Sequence, residues 1–126
     1  MKTMDTFISE FTNLLEEKKK SSLEIYNKLL ENECTDEANF ERIKLNVYDI
    51  IPAYLNATKK KTIAITSEEQ YDSFYNEFLV SMEKLQSNWN NKLELAREKN
   101  HVENIVVEEV KLSVMDFVVN EIKKRK

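Results

Sequence analysis

Residues 4–31, MDTFISEFTNLLEEKKKSSLEIYNKLLE, decide the fold class. Met4, Ile8, Phe11, Leu15, Ile25 and Leu29 recur at spacings of four and three, and Lys18 and Ser22 fill the same register between them. Phe7, Leu14, Tyr26 and Leu30 widen the stripe. A period near 3.6 puts these side chains on one broad face, so the stretch predicts a helix laid against a core. Glu16 precedes Lys20 by four residues, which gives an exposed ion pair and a local reason for part of that charge run.

The same pattern continues outward. Glu31-Asn32-Glu33-Cys34-Thr35 reads as a connection, with Thr35 as N-cap and Asp36 and Glu37 suited to a first helical turn. A second helix is expected from there to about Thr58, with Phe40, Ile43, Val47, Ile50, Ile51, Tyr54 and Leu55 on its apolar face. Pro52 lacks an amide donor and crowds the carbonyl four residues earlier, so a kink or break is expected near Tyr48 to Pro52. Residues 59–66, KKKTIAIT, look extended.

Ser67 with Gln70, or Thr66 with Glu69, makes a capping box that opens a third helix. Its buried face runs from Tyr71, Phe74, Tyr75 and Phe78 through Met82, Leu85, Trp89 and Leu93 to Ala96. It should end near Asn100, because asparagine tolerates the left-handed conformation where no glycine is at hand. A fourth helix is expected from Val102 to Lys123. Its β-branched residues lower helix propensity, and residues 110–114 alternate like a strand. No turn residues divide the segment, however, and a lone strand would have no partner. The expected architecture is all-α, an antiparallel up-down-up-down four-helix bundle formed by residues 1–126 as one domain.

Composition supports this and excludes much else. Hydrophobic residues make up 41% of the chain and charged residues 33%, enough of the former for a core. There is no glycine and one proline. Without glycine there is no Walker A loop, dinucleotide fingerprint, nucleophile elbow or standard calcium loop. The N-terminal MKTMDTFISEF carries Asp5 and Glu10 where a signal peptide needs unbroken apolar residues, and no stretch approaches the ~18 apolar residues of a membrane span. Cys34 is alone and has no partner for an internal disulfide, which suits a reducing compartment. A cytoplasmic protein is expected.

The spacing from Tyr26 to Phe40, followed by Phe40-Glu41-x-Ile43-Lys44-x-x-Val47, resembles the YppE-like family of small uncharacterised bacterial helical proteins. The resemblance covers about the first two helices. It implies a four-helix fold and no known activity, and it transfers no functional residue.

Candidate sites are few. Glu98 and His101 have the Glu-x-x-His spacing of half a carboxylate-bridged di-iron motif, but His101 is the single histidine and cannot supply the other half. Cys34 has no base nearby in sequence, and reads as a loop thiol. No metal, cofactor or catalytic residue is expected. Lys59, Lys60, Lys61, Lys123, Lys124, Arg125, Lys126 and Lys2 should gather at one pole, diluted by Asp5, Glu68, Glu69, Asp72 and Glu121. That pole would be the surface for nucleic acid, although a net charge of −4 argues against such a partner. Tyr54, Tyr71, Phe74, Tyr75 and Phe78 could line a small-ligand pocket near the same pole, or serve as core.

The fourth helix offers two apolar faces. Glu109, Ser113, Asp116 and Asn120 form a narrow polar strip. Val102, Val106, Val110, Val114, Phe117 and Val118 make a broad face assigned to the core. Leu112, Met115, Val119 and Ile122 make a second seam, which is either packed by the chain itself or docks a partner. The expected function is non-catalytic: binding of a protein partner or a second copy, as in an adaptor, a chaperone-like factor or an immunity-type protein. The rivals are a ligand carrier or enzyme with a pocket between helices, and a nucleic-acid binder.

Overall fold

The computed structural model describes residues 2–126. Its helices are α1 (Met4–Glu31), α2 (Thr35–Thr62), α3 (Glu69–Glu98) and α4 (Val102–Lys124), and the short connections between them make successive helices antiparallel. The chain is an all-α four-helix bundle. No helix among the described residues is long and apolar enough to cross a membrane.

Two of the three connections share one construction. Glu33 and Asn100 adopt left-handed backbone, with φ of 61° and 56°. The amide of Cys34 reaches back to the Leu29 carbonyl at 2.8 Å, and that of His101 to the Ala96 carbonyl at 3.0 Å. These are Schellman closures, which satisfy carbonyls at a helix end and ordinarily use glycine. Asn100 therefore ends α3 as its chemistry suggests, while Glu33 holds a position that penalises a Cβ. The carbonyls of Cys34 and His101 then accept the first amides of α2 and α4, from Ala38 and Ile105.

Three expectations about α2 are corrected. Cys34, not Thr35, is its N-cap, and no side chain caps it. Of the kink or break expected at Pro52 the break is absent, and the helix continues past this residue, whose exposed ring meets solvent. It also absorbs residues 59–62 of the stretch expected to be extended. Thr58 and Thr62 are buried, and their hydroxyls donate to the carbonyls of Tyr54 (2.8 Å) and Thr58 (2.9 Å), so packing and this back-bonding outweigh low propensity. At the start of α3, Ser67 Oγ accepts the Glu69 amide at 3.3 Å. Gln70 completes no capping box; its side-chain amide donates to the carbonyls of Thr62 and Ile63 and closes the end of α2.

One core cluster draws on all four helices. Phe7, Phe11, Phe74, Tyr75 and Phe78 interlock at one pole, with Phe7 and Phe74 edge-on at 5.5 Å between centroids. Met82, Met115, Val118 and Ile122 are fully buried in the same cluster. Helix α1 packs on α2, and α3 on α4. Across the bundle the arrangement is not square. Helices α2 and α4 approach each other, whereas no Cα of α1 comes within 8 Å of one in α4 among the described residues. Helices α1 and α4 are thus set farther apart than any other pair, and a groove lies between them at the Ile25 end.

Candidate functional site

The α1–α4 side is bridged only towards one end. Arg125 lies over the Phe11 ring at 5.9 Å, and Lys18 Nζ over the Phe117 ring at 4.7 Å. Lys2 donates to the carbonyls of Arg125 (2.7 Å) and Lys126. Beyond Lys18, towards the turn at Asn32, the stripe of α1 loses its cover. Ser22 is the last buried residue of that helix, and Ile25, in register with Phe11 and Leu15, is 47% exposed.

Here α1, α2 and α4 enclose an open groove of about 560 Å³. Ile25 and Leu29 of α1 form one wall, Val106 and Val110 of α4 the other, and Phe40 of α2 lies between them. The polar side chains along it are Glu37, Glu41, Lys44, Glu109 and Ser113. Glu41 is buried at 9% exposure. Its Oε1 accepts from Lys44 Nζ at 3.2 Å, but its Oε2 is shielded from solvent and has no hydrogen-bond partner. Glu109 shares Arg97 with Glu94, at 3.7 Å and 2.8 Å. Exposed apolar side chains concentrate at this pole: Leu23, Ile25, Leu30, Phe40, Leu95 and Val102 stand there, leaving Ile50, Ile63 and Val80 elsewhere.

This corrects part of the assignment of faces, although Val114 and Val118 are buried and Phe117 packs on the core as expected. Ile25 was expected in the core, as were Val102, Val106 and Val110, yet Val102 is exposed and Val106 and Val110 are half-buried at the groove. Conversely, Leu112, Met115, Val119 and Ile122, the candidate interaction face, are all buried within the chain. Because α4 packs against both α3 and α2, its second seam is filled internally and is not available for docking. The polar strip of Glu109, Ser113, Asp116 and Asn120 is exposed as expected. The site missed in sequence carries one signal there: Lys18 and Ser22 interrupt the apolar register of α1 just before the groove.

The other candidates resolve as follows. Tyr71 and Tyr75 donate their hydroxyls to the carbonyls of Arg125 (2.9 Å) and Ile122 (3.0 Å), closing the end of α4. Burial pushes both phenols above their ordinary pKa; Tyr75 and nearby carboxylates add to this at Tyr71, and Glu83 at Tyr75. A pocket of about 320 Å³ lies beside Tyr71, lined also by Lys2, Glu10 and Arg125, while Tyr54 and Tyr75 do not line it. Half of the eight cations of the basic pole are engaged: Lys124 and Arg125 pair with Glu121, Lys123 with Glu83, and Lys2 with main-chain carbonyls. The Arg125 hydrogen bond holds the Glu121 carboxyl below its usual pKa, with Lys124 contributing. Cys34 and His101 both lie in turns at the groove's pole, and the Cys34 thiol is 3.6 Å from the Asn32 carbonyl. Among the described residues no cluster of three or more His, Cys, Asp or Glu side chains could hold a metal.

Comparison with family models, with curated proteins and with solved structures finds no match for this chain.

Proposed function

We propose that this protein acts without catalysis, by docking another protein in the groove between α1, α2 and α4, in the manner of an adaptor, a chaperone-like factor or an immunity-type protein. The observation that supports this is the partly exposed apolar lining of Ile25, Phe40, Val106 and Val110 in the groove between α1, α2 and α4. Water-facing apolar side chains scattered singly are ordinary, whereas a contiguous set with a polar rim is characteristic of an interaction surface. The likeness of the Tyr26–Val47 stretch to the YppE-like family adds no activity to this reading.

The test is a photo-crosslinking amino acid placed at Ile25 in the cell that makes the protein, with the same group at exposed Val80 as control. A discrete protein adduct at Ile25 and none at Val80 is the expected result. Equal labelling at both positions, or none at either, would defeat the proposal.

A further inference from the structure

We infer that the occupant of the groove is a basic amphipathic helix of a partner protein. The inference rests on the docking function proposed above and specifies its chemistry. Two walls of the groove are helices with a helix between them and no sheet edge, so the element that fits by ridges into grooves is another helix, presenting apolar residues at i, i+3, i+4 and i+7.

Charge selects the partner's rim. Glu37, Glu41 and Glu109 line the groove against Lys44, with Arg97 beside Glu109, and the turn beyond it adds Glu31, Glu33 and Asp36 against Lys28, so the acidic residues remain in excess. Lys44 satisfies only one oxygen of the buried Glu41 carboxylate. The terminal torsion of a glutamate turns easily, so an arriving ammonium or guanidinium supplies the missing donor to either oxygen. The same charges disfavour a second copy docked face to face. A two-fold contact would set Glu37, Glu41 and Glu109 against their own counterparts, a like-charge juxtaposition that interfaces avoid.

The experiment uses two synthetic helices with the same leucine stripe, one with lysine and one with glutamate at the remaining positions. Binding to the full chain is followed by fluorescence anisotropy, with sedimentation of the protein alone alongside. The lysine helix should bind in preference to the glutamate helix, and should weaken with salt. Phe40→Asn and Glu41→Gln, shown to be folded by circular dichroism, should each lower its affinity by about tenfold or more, while Val80→Asn should leave it unchanged. Equal binding of both helices overturns the basic partner but leaves a docking groove standing. Lysine-helix binding that ignores Phe40→Asn, or no binding of either helix, overturns the groove as the site. Self-association of the wild type that Phe40→Asn abolishes makes a second copy the occupant, and overturns the inference.

Discussion

Lys18 Nζ sits 4.7 Å from the centroid of the Phe117 ring, and beyond this contact no hydrogen bond, ion pair or cation–π contact joins α1 to α4 among the described residues. The side chain that interrupts the apolar register of α1 is the one that reaches across to α4. At an exposed site such a contact contributes about 0.5–1 kcal/mol. Lys18→Met keeps the apolar stem and removes the charge, and should lower stability by that amount in a urea titration. A neutral result would mean that the contact does not hold the helices together.

Met115 and Val119 are 0% and 3% exposed. Replacing both with Glu places two charges in an apolar core and should cost several kcal/mol, so that the helical signal in circular dichroism is lost at ordinary temperature. Asp116, between them in sequence, is exposed and bonded at 2.7 Å to Gln86, and Asp116→Asn should change stability by less than about 1 kcal/mol.

Pro52 lies inside α2 with its ring exposed, and the carbonyl of Tyr48 lacks the amide that another residue would offer. Proline in a helix interior costs about 3 kcal/mol relative to alanine. Pro52→Ala should therefore stabilise the fold by roughly 1–3 kcal/mol, seen as a higher denaturation midpoint. An unchanged midpoint would show that α2 bends at Pro52 in a way that relieves the cost.

Tyr75 is 3% exposed and donates to the carbonyl of Ile122. Tyr75→Phe should lose about 1 kcal/mol near neutrality. Because its pKa is higher in the fold than in the unfolded chain, the phenol resists ionising only when folded. Its contribution is therefore intact below the ordinary value of about 10 and is lost as pH rises through the folded value. The variant should lose less stability than the wild type between neutral and strongly alkaline pH, measured as the unfolding midpoint at each.

Much of the fold was legible because it depends on local chemistry. The stripe of α1 marks a helix whatever lies opposite, and Asn100 ends α3 where no glycine could. The polar strip on α4 needs only a period of 3.6. What periodicity cannot specify is which neighbour covers which face. Ile25 and Phe11 are equivalent in register, yet one is exposed at the groove and the other fully buried in the aromatic cluster. The face through Val106 likewise divides, with Val114 and Val118 in the core and Val106 and Val110 at the groove, while the seam through Met115 is packed by the chain itself, one of the two alternatives the sequence left open. The helical residues 59–62 were hidden by propensity, since a sequence does not reveal that Thr58 and Thr62 will be buried and bonded to their own helix.

Amide hydrogen exchange with and without the lysine-bearing helical peptide tests the central claim most directly. Binding in the groove should slow exchange in α1 from about residue 22 to the turn, in α2 around Phe40 to Lys44, and in α4 around Val106 to Ser113, leaving the face of α3 at Val80 unchanged. Protection confined to the basic pole at Lys59–Lys61, or absent throughout, would contradict the account.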